Sequence, residues 1–365
     1  SRIVEPHRGQ AQFNISDYAI HAFKKYDFEG IKRFYPYFAT RGISLGTQKA
    51  FGAHFILATK EKADGGKSYT NLSFPLQVPG NTTIVGLEER GRPRLDGTSG
   101  YKGKAMGSNS SEGVWIAALG KQELSEAKDV YWFESGYDAM SYYQLHVKDN
   151  PSLEKAVFVS TGGNPTVGQM QRMLAVSPSA THHICFDNDL AGRQFTDNIK
   201  SEINRIALSS VTVTPERKPY LDSLPLSRNF TQGDIELLPK AVQGKYGKYE
   251  SAWEEAMSMR QSRLCYEGDI REQEKMAMKY FHEYKNAVMD FLGIDAKNVI
   301  AYARETPLRG KDWNEQLLAE REESQKAAEE VEESRSVASG IDLNADGEIE
   351  VNESEEKKRV HYSKR

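Results

Sequence analysis

The stretch DVYWFESGYD (129–138) decides the fold. Four of its first five residues, Val130 to Phe133, are aromatic or β-branched and predict a strand, Gly136 marks a turn, and the segment from Tyr137 to His146 has the character of a helix. Glu134 therefore stands at the carboxyl end of a predicted strand.

Two further stretches repeat this strand-turn-helix order. AVFVSTGGNP (156–165) ends in a Gly162-Gly163 turn, and THHICFDND (181–189) precedes a predicted helix that begins near Leu190. Three such units in series predict a parallel sheet, and ligands of parallel sheets collect outside the carboxyl ends of the strands. The acidic and glycine-rich turns all fall at that edge.

Acidic residues at this edge predict a metal site. Asp187 and Asp189 are two apart in extended chain, so both can point the same way and share one cation. Glu134 and Asp138 are four apart, and they share one face of the first helical turn if the helix starts at the turn. Each acid alone is more typical of a helix cap or a solvated turn. Clustered carboxylates repel by roughly 4 kcal/mol per contact, so the set favours a bound divalent cation.

The order Glu-x-Gly-Tyr-Asp, glycine turn, Asp-x-Asp-x-Ala-Gly-Arg resembles the Toprim domain of bacterial DnaG-type primases, topoisomerases and some nucleases. The later GKDWNEQL (310–317) is similar to the segment that closes the acidic site in primase-like members. The resemblance implies that Glu134, Asp187 and Asp189 are catalytic. It further implies that magnesium or manganese is held by Glu134, Asp138, Asp187, Asp189 and Asp312.

The chain before these motifs is similar to the basic subdomain that precedes Toprim in DnaG-type primases. The similar stretches are 37–51, 71–94 and 101–108, and residues 1–118 hold 16 Lys and Arg against 10 Asp and Glu although the whole chain has a net charge of −4. This basic balance favours a nucleic acid or triphosphate partner. The predicted phosphate contacts are Arg41, Arg90, Lys102, Lys104, Gly162, Gly163 and Arg193. The alternatives are ordinary surface cations and, for Arg193, an ion pair with the acids.

We therefore predict an α/β protein. An α+β basic subdomain (1–120) precedes a Toprim domain (121–318), whose Rossmann-like parallel sheet has helices on both faces. Within it, residues 210–295 are read as an insertion with a strand at SVTVTP (210–215) and a helix-rich stretch at 249–292. Met278, Phe281, Val288 and Phe291 recur there at near-helical intervals, which is typical of a core stripe.

The acidic tail (319–365) contains a sequence that fits a calcium loop. IDLNADGEIEVNE places acids and amides at the spacing of an EF-hand, so the candidate calcium ligands are Asp342, Asn344, Asp346, Glu348 and Glu353. The flanking residues lack the apolar faces of EF-hand helices, and a disordered acidic tail is the alternative.

Composition favours a soluble cytoplasmic protein. No apolar stretch approaches the roughly 20 residues of a membrane span, and only Cys185 and Cys265 are present, so neither disulfides nor a cysteine-based zinc site is expected.

The resemblance implies primer synthesis from nucleoside triphosphates on single-stranded DNA, in the replication or mobilisation of a plasmid or other mobile element, with a helicase or similar protein as a further partner. A Toprim nuclease that cuts or nicks DNA, a topoisomerase with a nucleophilic tyrosine, and a non-catalytic DNA-binding adaptor remain as alternatives.

Overall fold

The computed structural model describes residues 12–60, 68–94, 100–209, 211, 214–218, 235–262, 264–295, 298–339, 341–343 and 349–351. A ten-stranded mixed sheet forms its centre, with the strand order β1-β2-β3-β6-β8-β7-β9-β10 and with β4 and β5 branching from β3. The antiparallel part comes from the first third of the chain and the parallel part from the segment that carries the acidic motifs.

The first part alternates short helices with antiparallel strands. Its elements are β1 (Tyr18–Ala22), α1 (Phe28–Lys32), α2 (Tyr35–Phe38), α3 (Leu45–Phe51), β2 (Ile56–Lys60), β3 (Tyr69–Gln77), β4 (Ile84–Arg90), β5 (Lys102–Lys104) and β6 (Val114–Ala118). Strand β6 pairs antiparallel with β3 on one side and with β8 on the other. Both parts of the protein therefore share one continuous sheet, which fixes the basic segments relative to the acidic ones.

The second part has the predicted strand-turn-helix order. Its elements are β7 (Asp129–Phe133), α4 (Gly136–His146), β8 (Val157–Ser160), α5 (Val167–Val176), β9 (Thr181–Ile184), α6 (Leu190–Ser209), α7 (Lys240–Gln261), α8 (Glu267–Leu292), β10 (Tyr302–Arg304) and α9 (Trp313–Ser339). Strand β7 lies between β8 and β9, β10 follows β9, and all three pairings are parallel. The predicted α/β class with a parallel sheet is confirmed.

Side-chain alternation along β7 explains why helices cover both faces. Val130 and Trp132 pack in the core that contains residues of α5 and α6, whereas Tyr131 and Phe133 pack in the core that contains residues of α4. Successive residues of a strand point to opposite faces, so a strand that is apolar at every position from Val130 to Phe133 must be covered twice.

The helix-rich stretch predicted at 249–292 contains α8 and the second half of α7, which begins earlier, at Lys240. Phe281, Val288 and Phe291 pack in a small core between these helices, whereas Met278 is 43% exposed. Three of the four residues of the predicted core stripe therefore lie in this core. Of the strand predicted at 210–215, residues 210, 212 and 213 lie outside the described residues, and the others are not in a strand.

At the end of the described chain, β11 (Ile341–Leu343) pairs antiparallel with β12 (Ile349–Val351). Of the candidate calcium ligands, Asp342 lies in β11, and Asn344, Asp346, Glu348 and Glu353 lie outside the described residues. Among the helices that the structure describes, none combines the length and the apolar character that a membrane crossing requires.

Candidate active site

A cavity of about 470 Å³ lies at the carboxyl edge of the parallel strands. Glu134, Asp138, Asp187 and Asp312 contribute to its lining, and so do Arg41, Arg90, Lys102 and Lys311. The acids come from three distant segments of the sequence, and three of the cations come from the antiparallel part. The fold thus brings the acidic motifs together, as the parallel topology predicts, and faces them with basic side chains.

The turn between β7 and α4 positions the first two acids. Ser135 is the N-cap of α4, so Glu134 precedes the helix and only Asp138 lies in its first turn, which differs from the shared helical face predicted for the pair. The Ser135 hydroxyl donates to Asp138 Oδ2 at 2.5 Å, and the Asp187 N–H donates to Glu134 Oε1 at 3.3 Å. Backbone and cap contacts therefore hold both carboxylates.

Asp312, which lines the cavity, and Asp189, which does not, stand at the starts of helices. Asp189 Oδ1 accepts the Gly192 N–H at 2.8 Å, and Asp312 Oδ1 accepts the Glu315 N–H at 2.8 Å, so each caps the helix that follows it. Helix N-termini favour negative charge because their first N–H groups have no partner within the helix. These caps orient the carboxylates without engaging both of their oxygens.

The cation that Asp187 and Asp189 share in this structure is the side chain of Lys311. The extended spacing between the two aspartates allows both to face it. The Lys311 ammonium lies 3.3 Å from Asp187 Oδ2 and 3.1 Å from Asp189 Oδ2. The Asp187 side chain is only 10% exposed, so this contact places a positive charge beside a nearly buried carboxylate.

Burial and mutual repulsion disfavour the charged forms of the acids. Burial, followed by the charge of Asp187, raises the pKa of Glu134 to about 7. Burial, followed by the charge of Asp312, raises the pKa of Asp138 and that of Asp187. The pKa of Asp189 is lowered, chiefly by the Gly192 N–H. A cation among these groups would restore their charge.

The donor chemistry fits a hard divalent cation, because carboxylate oxygens are the ligands that Mg²⁺ and Mn²⁺ prefer. Within the described part of the chain, no three His, Cys, Asp or Glu side chains are already grouped closely enough to hold one ion. Ligation by Glu134, Asp138, Asp187, Asp189 and Asp312 therefore stays a prediction, and it requires side chains to move inward around the ion.

The predicted phosphate-binding residues differ in whether their side chains are already engaged in contacts within the protein. The Arg41 guanidinium lies over the Tyr137 ring at 5.0 Å, and the Lys102 side chain is exposed at the cavity. Arg90 lines the cavity too, but its Nη2 donates to Glu88 Oε1 at 2.5 Å in a buried ion pair. Arg41 and Lys102 are thus better placed than Arg90 to bind an incoming anion.

Four of the predicted phosphate contacts, Lys104, Gly162, Gly163 and Arg193, are not among the residues that line the cavity. Lys104 is half-buried, and its ammonium contacts the Thr161 carbonyl at 3.4 Å. Gly162 and Gly163 have φ values of +68° and +111°, and the Gly163 N–H donates to the Glu134 carbonyl at 3.0 Å. Arg193 is exposed in the first turn of α6. The glycine turn thus supports the backbone of Glu134.

Sequence reasoning missed three residues that shape the site. Lys311 and Asn314 lie beside Asp312 in the GKDWNEQL stretch, so the same motif could have indicated them as site residues. Arg304 in β10 donates to the Asp187 carbonyl at 2.8 Å and to the Ile184 carbonyl at 3.1 Å. No motif marks Arg304, because its role arises only from the pairing of β10 with β9.

Comparisons with solved structures give low similarity scores. The primase fragment of the bacteriophage T7 primase-helicase protein is 16% identical, with 55% of this chain and 69% of that chain covered and a TM-score of 0.33. A DnaG catalytic core is 12% identical, with 74% and 97% covered and a TM-score of 0.32. A DNA primase domain from Pseudomonas aeruginosa is 12% identical, with 75% and 79% covered and a TM-score of 0.28. A comparison with curated proteins finds no match.

The family comparison is specific to the acidic segment. A family model described as Toprim-like matches residues 131–222, which include Glu134, Asp138, Asp187 and Asp189. The match begins within β7 and extends beyond α6, so it spans the three strand-turn-helix units, of which the first and the third contribute acids to the cavity. This chain therefore carries a Toprim-like region at residues 131–222, as its motifs predict.

Proposed function

We propose that the protein catalyses metal-dependent nucleotidyl transfer on single-stranded DNA and makes primers from nucleoside triphosphates. One observation carries the proposal: acids from three separate segments, two of them in the Toprim-like region, share a cavity with Arg41 and Lys102, which come from the basic part of the chain. Such a cavity can accept a polyanion and a divalent cation together, which is what phosphoryl transfer from a triphosphate needs.

A magnesium or manganese ion bound by the acids would neutralise the triphosphate and align a 3′-hydroxyl for in-line displacement of pyrophosphate. Glu134 would bind the ion or, as a carboxylate kept charged by that ion, accept the proton of the hydroxyl. Arg41 and Lys102, on the basic side of the cavity, would hold phosphate oxygens through charge-assisted hydrogen bonds.

The basic first part of the chain would hold the template. Its excess of Lys and Arg supplies the electrostatic attraction on which nucleic-acid binding depends, and its strands share one sheet with the acidic part. We also propose that the protein acts in the cytoplasm, on a plasmid or other mobile element, together with a helicase or similar protein.

A Toprim nuclease is the main competing function. It would use the same acids to cut DNA, but it would not need the basic segments that line the opposite side of the cavity. A non-catalytic adaptor would gain nothing from keeping buried carboxylates close together, since their repulsion lowers stability. The placement of Arg41 and Lys102 therefore favours transfer from a triphosphate.

The test is primer synthesis on single-stranded DNA with labelled nucleotides and Mg²⁺ or Mn²⁺. We expect metal-dependent products that fall at least about 100-fold in Glu134→Ala and Asp187→Ala. Asp149→Ala removes an exposed acid outside the cavity and should leave synthesis unchanged. Metal-dependent nicking of the template without primers would assign a nuclease, and neither activity in the presence of bound metal would assign an adaptor.

A further inference from the structure

Lys311 is a cation held where the proposed metal would bind. Its ammonium bridges Asp187 and Asp189 at 3.3 and 3.1 Å, while no other ion pair is made by the cavity's acids within the described part of the chain. A lysine ammonium is a compact point charge, so it can neutralise two carboxylates much as a metal ion does.

The backbone of Lys311 is anchored, while its side chain is held, among the described residues, only by the two aspartates and is about half exposed. The Lys311 N–H donates to Glu315 Oε2 at 2.6 Å, and its carbonyl accepts the Asn188 N–H at 2.7 Å. The side chain is 53% exposed. A flexible four-carbon stem on an anchored backbone can therefore swing away from the aspartates without disturbing the loop.

We propose that Lys311 is a placeholder for the divalent cation. In the metal-free protein its ammonium neutralises Asp187 and Asp189. On metal binding it leaves them and turns into the cavity, which it also lines, where it can contact the triphosphate. This inference rests on the proposed function for the nature of the anion, but the exchange between ammonium and metal is testable without any nucleotide.

The arrangement has a physical consequence for the order of binding. The metal must break the two ion pairs of Lys311 before it can bind the aspartates. Without a nucleotide, it therefore binds this site more weakly than it would bind the same acids without Lys311. A triphosphate that receives the displaced ammonium returns part of that cost. Metal and nucleotide should therefore each strengthen the binding of the other, beyond what direct contact between them provides.

Lysine labelling measures the displacement directly. The protein is treated with a low dose of acetic anhydride, and acetylation at each lysine is quantified by mass spectrometry with and without MgCl₂. We expect Lys311 labelling to rise about threefold or more at saturating Mg²⁺, because only the neutral amine attacks the anhydride and the two carboxylates keep Lys311 protonated and shielded from the reagent. Lys128, an exposed lysine at the start of the β7 region, is the internal reference and should not change. Unchanged Lys311 labelling in a protein that demonstrably binds Mg²⁺ would overturn the inference.

Affinity measurements with Mn²⁺ in the absence of nucleotide separate occupancy from general charge. Lys311→Met should bind Mn²⁺ about five- to tenfold more tightly, whereas Lys311→Arg keeps the charge, can bridge both carboxylates with its fork and should bind more weakly than the native chain. Lys102→Met removes a charge from the same cavity without touching the aspartates and reports the general electrostatic effect. Equal gains in Lys311→Met and Lys102→Met, with no loss in Lys311→Arg, would contradict the placeholder role.

The outcomes distinguish the two proposals. Metal-induced exposure of Lys311 in a protein that makes no primers would support the placeholder and defeat the proposed function. Primer synthesis with Lys311 labelling unaffected by metal would do the reverse. If neither the native chain nor Lys311→Met binds Mn²⁺, the metal-dependent function and the placeholder both fail.

Discussion

Asn314 and Arg41 lie 273 positions apart in the sequence and form a reciprocal pair. The Asn314 amide donates to the Arg41 carbonyl at 2.8 Å, and the Arg41 guanidinium donates to Asn314 Oδ1 at 3.3 Å. Asn314 is 3% exposed and lies two residues after Asp312. This pair fixes the basic side of the cavity directly against its acidic side.

Replacing Asn314 should therefore affect both stability and nucleotide use. Asn314→Ala leaves the Arg41 carbonyl without its donor and should lower the free energy of unfolding by about 1–3 kcal/mol, measured by urea denaturation. It should also raise the KM for nucleotide about fivefold, because Arg41 loses its orientation. Ser141→Ala removes only the third contact of Asn314, at 3.0 Å, and should reduce stability without changing KM. An equal KM in the two variants would show that the pair does not position Arg41.

The glycine turn after β8 should tolerate side chains unequally. A Cβ on Gly162 would lie 2.7 Å from the Lys104 side chain at a φ of +68°, whereas a Cβ on Gly163 would meet nothing within 4 Å at a φ of +111°. We expect Gly163→Ala to lower stability by about 2–3 kcal/mol and Gly162→Ala by about 1 kcal/mol. L side chains reach a φ of +68° at modest cost and the end of the Lys104 side chain can move aside, whereas a φ of +111° is reached almost only by glycine.

A matched control for these two variants exists in α7. Gly244 lies within a helix, has a helical neighbourhood and would meet nothing within 4 Å. Gly244→Ala should therefore raise stability by about 0.5–1 kcal/mol, because alanine is the better helix former. Thermal unfolding of the three variants ranks them, and a Gly163→Ala protein as stable as Gly244→Ala would refute the glycine-specific backbone conformation at Gly163.

The grouping of the acids could be predicted from the sequence because it depends on topology. Apolar runs that end in acidic or glycine turns indicate parallel strands, and parallel strands place their carboxyl ends at one edge. The apolar run NVIAYA (298–303) predicts a further strand, and β10 overlaps its end, whereas the bounds of β10 follow from its pairing with β9 rather than from composition.

Side-chain partners were predictable only in part. Glu88 and Arg90 are two apart on β4, so they share a face of the strand, and their ion pair could have been anticipated. The bridge from Lys311 to Asp187 and Asp189 joins residues more than a hundred positions apart, and it follows from how α9 approaches β9. Sequence patterns specify which elements form, whereas such contacts depend on how those elements pack.

His183 should make stability depend on pH. Its ring contacts Glu305 at 2.7 Å and Asp129 at 3.0 Å, and although burial lowers the pKa of His183, these two carboxylates raise it overall. The protonated ring therefore stabilises the fold fully below the unfolded pKa of about 6.5, and this contribution is lost as pH rises through the higher folded pKa.

The His183→Gln variant isolates this contribution. We expect it to lose on the order of 1 kcal/mol relative to the native chain near pH 6, because both carboxylates are about a third exposed, and to lose less near pH 8.5. Urea denaturation across this pH range measures the difference. A deficit that stays constant with pH would mean that His183 acts only through packing against Tyr131, whose ring stacks on it at 4.2 Å.

Glu134 should also make the stability of the metal-free protein depend on pH, because it is an acid whose pKa is raised. Burial and the charge of Asp187 raise the pKa of Glu134 to about 7 from an ordinary value of 4.5, so the folded state binds the proton more tightly than the unfolded state does. Stability without metal should therefore fall as pH rises from about 4.5 to about 7, and Glu134→Gln should be more stable than the native chain by about 1–2 kcal/mol near pH 8. Saturating Mg²⁺ should reverse that order, because the ion binds the carboxylate and not the amide.

Thermal unfolding at pH 5 and pH 8, with and without Mg²⁺, measures all four states. A Glu134→Gln protein that gains as much stability from Mg²⁺ as the native chain would remove Glu134 from the metal ligands and leave it the role of a proton acceptor.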